Sequence, residues 1–182
     1  MKKYGVLIFV VLCALVFVSC ANDGNSIEKV KDNDLSSIAG TYCFDYEGDT
    51  PELTEDHYIV IEMTDDKFSG YYYGTSDDFD PAREGYFPGF YVTQMSDLNV
   101  DISTIRFSIK LYPKDLFSSP VELQYKRSED IPSSENSKWI NGQIFDEKNG
   151  SMLVYEGKIE GQDILLNTDS GVRVFKKVKN NQ

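Results

Sequence analysis

The sequence predicts an all-β protein, a single antiparallel meander closed or nearly closed into a β-barrel of about 8–10 strands, with one or two short helices. Three observations carry that expectation. Apolar and aromatic residues alternate with polar ones over most of the chain after Ile38, the period-two pattern of half-buried strands. The alternating runs are short and are separated by Gly, Asn and Asp, the residues that tight turns need. A chain made almost wholly of such strands must also hide its hydrogen-bonding edges, and closure into a barrel does this most completely.

The elements follow in order. In IAGTYCFDY the residues Ile38, Gly40, Tyr42, Phe44 and Tyr46 share one face of a first strand. HYIVIEM sets Ile59, Ile61 and Met63 against Glu62 on the other face, and Thr64-Asp65-Asp66 reads as a turn into KFSGYYYG. On that third strand Tyr71 and Tyr73 point one way and Tyr72 the other, so at least one tyrosine faces away from the interior. IRFSIKL is the clearest strand, with Ile105, Phe107, Ile109 and Leu111 inward. VELQYK repeats the pattern with Val121, Leu123 and Tyr125 inward. Asn149-Gly150, a hairpin signal, introduces MLVYEGKI, DILLN and VRVFKKV. Pro81 to Glu84, Lys114 to Phe117 and the stretch around Trp139 are the short helical candidates.

The N-terminus carries a different signal. Lys2 and Lys3 precede an apolar run of 15 residues, Tyr4 to Val18, shorter than the roughly 20 residues a membrane-spanning helix needs. It has the form of a secretory signal, and it ends at Val18-Ser19-Cys20, after which Ala21, Asn22, Asp23 and Gly24 are small or polar. This junction resembles the lipobox of bacterial lipoproteins, with Phe17 where the motif usually carries Leu. Cys13, between Leu12 and Ala14, sits in mid-run. The resemblance implies cleavage before Cys20, lipid (palmitate-type acyl chains) on Cys20, and attachment to a membrane of the cell envelope. No aspartate follows Cys20, which points to the outer membrane. One acyl chain holds only marginally, whereas the two or three typical of such lipoproteins anchor stably. The expected organisation is a signal peptide at 1–19, a lipidated N-terminus and flexible spacer at 20–37, a barrel domain at 38–178 and a polar tail at 179–182.

Gly40-Thr41-Tyr42 near the start and Arg173 near the end are similar to the lipocalin-like (calycin) signature, in which a Gly-x-aromatic opens the first strand and an arginine of the last strand packs across the ring. The resemblance implies Tyr42 and Arg173 as a barrel-closing pair. The Tyr-x-Gly-x-Ile and Phe-Lys-Lys ending is similar to small β-barrel lipoproteins of unassigned function.

Charge narrows the partners. The chain has 18 basic and 30 acidic residues, a net charge of −12. Removing residues 1–19, which hold two lysines and no acid, takes this to −14. Such a surface argues against nucleic acid and against direct docking on anionic headgroups. With Cys20 acylated, Cys43 is left as a lone thiol, expected as a small buried strand residue rather than a redox or nucleophilic group.

Tyr71 to Met95 interrupts the strand rhythm with aromatics, acids and glycines. Tyr71, Tyr72 and Tyr73, followed by Tyr86 and Phe87 and then Phe90 and Tyr91, form either a recognition surface or a plug for one barrel end. Asp77, Asp78, Asp80 and Glu84 suggest calcium chemistry, but Ala82 stands where a further ligand belongs, and Asp80 before Pro81 reads as a cap. No metal or cofactor is expected. His57, the one histidine, lies beside Asp56 at a strand start and reads as an ordinary surface position. One histidine excludes multi-His zinc sites, and no nucleophile elbow, phosphate loop or H-E-x-x-H is present. The expectation is a non-catalytic, membrane-anchored interaction module, an accessory subunit of an envelope or surface complex with an unidentified protein partner. The alternatives are a carrier of a small apolar ligand inside the barrel and, further off, a hydrolase in which His57 meets a serine and an acid.

Overall fold

The structure, a computed structural model, describes residues 35–46, 57–79, 88–132, 138 and 149–179. Nine strands form one antiparallel sheet: β1 (Gly40–Phe44), β2 (Tyr58–Thr64), β3 (Lys67–Thr75), β4 (Phe90–Gln94), β5 (Ser96–Val100), β6 (Thr104–Leu111), β7 (Ser151–Glu160), β8 (Asp163–Thr168) and β9 (Gly171–Lys177). The helices among the described residues are four single 3-10 turns, at Leu35–Ile38, Ser76–Asp78, Pro113–Asp115 and Ser128–Asp130.

The strand order is β4-β3-β2-β1-β9-β8-β7-β6-β5, so the first strand pairs with the last and the remaining neighbours are consecutive in sequence. The barrel is nearly closed. Its one unladdered junction lies between β4 and β5, which are themselves joined through Met95 alone. They act as one bent strand that leaves β3 and crosses to β6. The bend has local causes. Asp97 takes φ 52° and the β5–β6 register shifts between Ser96 and Asn99, the signature of a bulge, which kinks a strand and raises its twist. Across the bend the Met95 N–H donates to the Gly70 carbonyl at 2.9 Å. Gly70 has no side chain because the Met95 sulfur occupies that space, 2.6 Å from where a Cβ would stand.

The alternation seen in the sequence is the inside and outside of this barrel. Ile59 and Ile61 of β2, Ile105, Phe107, Ile109 and Leu111 of β6, Ile164 and Leu166 of β8 and Phe175 of β9 are buried. Tyr72 sits among them, stacked on Tyr155 with centroids 5.3 Å apart. Phe107, Tyr91 and Phe175 lie 6.1 to 6.3 Å away. Large rings at these spacings fill the interior and gain from their mutual geometry as well as from burial. Thr64-Asp65-Asp66-Lys67 is the two-residue hairpin that the sequence suggested, with Asp65 and Asp66 at φ 50° and 58°. Positive φ at both central residues is the type I′ turn whose twist matches a hairpin.

VELQYK is not a strand. Residue 125 closes a turn on Glu122 at 3.0 Å, and the segment crosses the outside of β2 and β3. The reason is topological. Leu111 at the end of β6 already pairs with Ser151 at the start of β7, so the connection between them loops out of that ladder, and among the described residues it meets the open edge of β4 only through Phe117. Its carbonyls are used otherwise: the Tyr73 hydroxyl donates to Leu123 O at 3.2 Å and Tyr125 O at 2.8 Å. Lys126 pairs with Glu62 and lies 5.3 Å over the Tyr71 ring. Phe117 exchanges two 2.8 Å backbone bonds with Phe90. Gly150, at φ 70°, leads the chain back into β7.

Thr75, at the end of β3, is buried and its hydroxyl oxygen has no hydrogen-bond partner. An unmatched buried hydroxyl costs more than an apolar group of the same shape. Thr75→Val is therefore expected to stabilise the domain by about 1 kcal/mol, a rise of ~2–4 °C in Tm, measured by thermal unfolding. A fall in Tm would show that the hydroxyl is bonded.

Candidate functional site

One end of the barrel gathers the polar chemistry. The chain enters at the other end, through the Leu35–Ile38 turn, where the Tyr42 hydroxyl donates to Ile38 O at 2.6 Å and Lys177 Nζ to Ser37 O at 2.5 Å. At the far end the close of β3 meets His57 before β2, Phe44 at the end of β1 with Tyr46 just beyond it, and the start of β9. Gly74 allows this. It faces inward between Tyr72 and the 3-10 turn Ser76–Asp78, and a Cβ there would collide with the Asp78 carboxylate and the Tyr72 ring. With the side chain absent, the turn folds back and lowers Asp78 into the barrel mouth.

Asp78 is fully enclosed. Its Oδ1 accepts from Arg173 Nη1 and lies 3.5 Å from His57 Nε2, while Oδ2 accepts the Tyr91 hydroxyl at 2.7 Å. Arg173 Nη1 also donates to the Tyr72 hydroxyl at 3.3 Å. On its other side His57 Nδ1 meets the Tyr46 hydroxyl at 2.5 Å. Burial pushes the Asp78 carboxyl up, but the His57 and Arg173 partners outweigh it and hold it below the ordinary aspartate value. Burial works against the Arg173 cation too, and the facing carboxylate more than compensates, so its pKa is raised. Tyr72, Tyr91 and Tyr155 are pushed well up, first by burial and then by the Asp78 charge. The cluster is thus one buried ion pair ringed by neutral tyrosines.

Beside it opens a cleft of about 340 Å³, with Arg173 and Asp78 at its base, Phe79, Leu153 and Tyr155 as walls, and Asn167 to Ser170 as rim. A second hollow of about 320 Å³ lies on the other side of the β8–β9 turn and shares Thr168, Ser170 and Arg173.

The structure places the sequence candidates unevenly. Tyr72 and Tyr91 are inside the barrel and Tyr73 is buried beneath residues 123–125. These three are core and cover, not a recognition surface, because β3 is packed on both faces. Tyr71 and Phe90 are half-buried. Tyr86, Phe87, Asp80, Glu84, Trp139 and Cys20 lie outside the described residues. Tyr42 and Arg173 do not pair. Tyr42 stands opposite Lys177 in the β1–β9 register, and Lys177 Nζ lies 5.6 Å over its ring. Arg173, further along β9, lies 5.9 Å over Phe44. His57 is not an ordinary surface residue: it is 7% exposed, covered by the Asp78 turn and by Phe44 and Tyr46. Asp78 is committed to Arg173, and among the described residues no three His, Cys, Asp or Glu side chains are placed to hold a metal ion. Cys43 is half-buried, and its thiol donates to Phe44 O at 3.6 Å. The Asp78–Arg173 pair itself was missed. Its signals are the glycine that ends the triple-tyrosine run and the parity of β9, which turns Arg173 inward with Phe175.

Removing one partner of a buried pair strands the other charge. Asp78→Ala is expected to cost about 3–5 kcal/mol, a loss of roughly 10 °C in Tm for a domain of this size. The pH dependence has a definite sign. Because the folded-state pKa of Asp78 is lowered, its contribution is present above the unfolded value and is lost as pH falls below about 4. Acid unfolding of Asp78→Asn, followed by circular dichroism, is expected to show a shallower dependence below that pH than the parent. An identical slope would contradict the assignment.

Comparison with protein-family models, with curated proteins and with solved structures found no match to this chain.

Proposed function

We propose that this is a lipid-anchored protein of the cell envelope that acts without catalysis, as an interaction module docking a protein partner on the loop-bearing end of its barrel. The observation that carries the reading is the surface at that end. Met152 and Val154 on β7 and Val172 on β9 are 65%, 47% and 58% exposed, all at this end of the barrel, with Val154 lining the cleft and Val172 the second hollow. Single exposed apolar residues are ordinary, whereas a group of them beside a concavity marks a contact site, and methionine is favoured in such contacts. Two further features support docking over the alternatives. An interior carrier needs an apolar lumen of several hundred Å³, and here the described barrel interior is occupied by Tyr72, Tyr155, Phe107 and Phe175. A hydrolase would need His57 as a base, and both its ring nitrogens face protein groups, Tyr46 and Asp78. The anchor rests on the lipobox resemblance at Cys20.

Cys20→Ser is expected to move the protein from the membrane fraction to the soluble fraction and to remove the acyl mass seen in the intact wild-type protein. A wild-type mass with no acyl addition would end the anchoring proposal. For the docking end, a photo-crosslinking side chain at position 152 or 172, in cells, is expected to capture one polypeptide. The same group at Ile102, which is 54% exposed at the other end of the barrel, is expected to capture none. Equal capture at both ends, or none at either, contradicts the proposed surface.

A further inference from the structure

We infer that the 340 Å³ cleft at the barrel mouth is a binding site for a neutral polyhydroxylated ligand, a sugar ring or glycan residue, held by Arg173 and the Asn167–Asp169 rim. The inference does not depend on the protein partner proposed above, although Val154 belongs both to that surface and to the cleft lining.

The donors come first. A guanidinium offers five N–H groups in a planar fork. In Arg173 the bonds to Asp78 and to Tyr72 both leave from Nη1. Nε and Nη2 make no hydrogen bond with any of the described residues, and the side chain keeps 20% of its surface open where it lines the cleft. The fork is held rigidly, since Asp78 fixes one arm and Phe44 lies under the plane. Donors fixed in advance and left open bind at a lower ordering cost than a mobile surface lysine.

Charge then decides what they hold. Asp78 already compensates Arg173, and Asp77 and Asp169 add two more carboxylates to the lining. With three acids against one base the cleft repels an anion, despite its arginine. A cation drawn to the acids would have to sit against the guanidinium. A neutral ligand that both accepts and donates meets neither penalty. Vicinal hydroxyls do this: their oxygens accept from Arg173 and from the Asn167 amide, and their protons go to Asp169. Phe79 and Leu153 supply an apolar wall, suited to the C–H face of a pyranose. The volume lies within the range of small-ligand sites.

The test is an NMR titration of the full chain, using backbone amide shifts, with the methyl glycosides of glucose, galactose and mannose as probes. Acetate, phosphate and putrescine serve as charged comparators. Saturable shifts at Phe79, Tyr155, Asn167 and Arg173 with at least one glycoside are expected, and none of the charged probes should reproduce them. Asn167→Ala combined with Asp169→Ala removes two exposed rim groups that the fold does not need. It is expected to weaken glycoside binding about tenfold while leaving Tm unchanged. Three results would overturn the inference: no shift with any glycoside, shifts at these residues from a charged probe alone, or glycoside shifts confined to the other end of the barrel.

Discussion

The organisation of this protein depends on one buried ion pair. Asp78 comes from the turn after β3 and Arg173 from β9, 95 residues later, and the pair meets where the barrel would otherwise open. Neither charge is tolerable there alone. An isolated buried ion loses several kcal/mol of hydration, so the turn that carries Asp78 and the strand that carries Arg173 must arrive together. β9 is also the strand that closes the sheet against β1. The same contact that neutralises the charge therefore ties barrel closure to the plugging of the mouth. Gly74 is the sequence's provision for it, since any side chain there would occupy the space of the carboxylate.

The pair sets the character of what surrounds it. Burial, and after it the ionised carboxylate, keeps the neighbouring tyrosines protonated, and Tyr91 and Tyr72 donate and accept around the pair as neutral groups. Tyr72 stacks on Tyr155, and the two pack at tilted angles against Phe107 and Phe175 to fill the interior. A barrel filled this way has little to offer inside. Its chemistry is displaced to the outer rim, where Arg173, Asp78 and Tyr155 of the buried cluster line the cleft. The docking and glycan-binding proposals both place recognition on this rim.

The sequence made the fold legible because period-two alternation is a direct record of inside and outside. Ile105, Phe107, Ile109 and Leu111 point inward as read, Tyr72 opposes Tyr71 and Tyr73 as read, and Asp65-Asp66 turns as read. VELQYK shows where the inference stops. Alternation states that a segment has two faces, and it does not state that the segment joins a ladder; β6 and β7 had already paired. The site was harder for the same reason. Which residues face one another across a barrel depends on register, and a shift along β9 decides whether Tyr42 meets Arg173 or Lys177. The tyrosine-rich segment looked like a surface because aromatic residues serve cores and contacts equally well, and burial separates the two. His57 beside Asp56 gave no sign that its ring meets Asp78, 21 residues away in number and adjacent only once the turn folds back on Gly74.

The measurement that tests this account most directly is a double-mutant cycle on the pair, comparing the unfolding free energies of Asp78→Asn, Arg173→Gln and the double variant. If the pair governs the mouth of the barrel, the two substitutions are strongly non-additive, with a coupling of about 2–3 kcal/mol. Additivity to within about 0.5 kcal/mol would mean that the two residues act separately, and that something other than their contact holds this end of the barrel together.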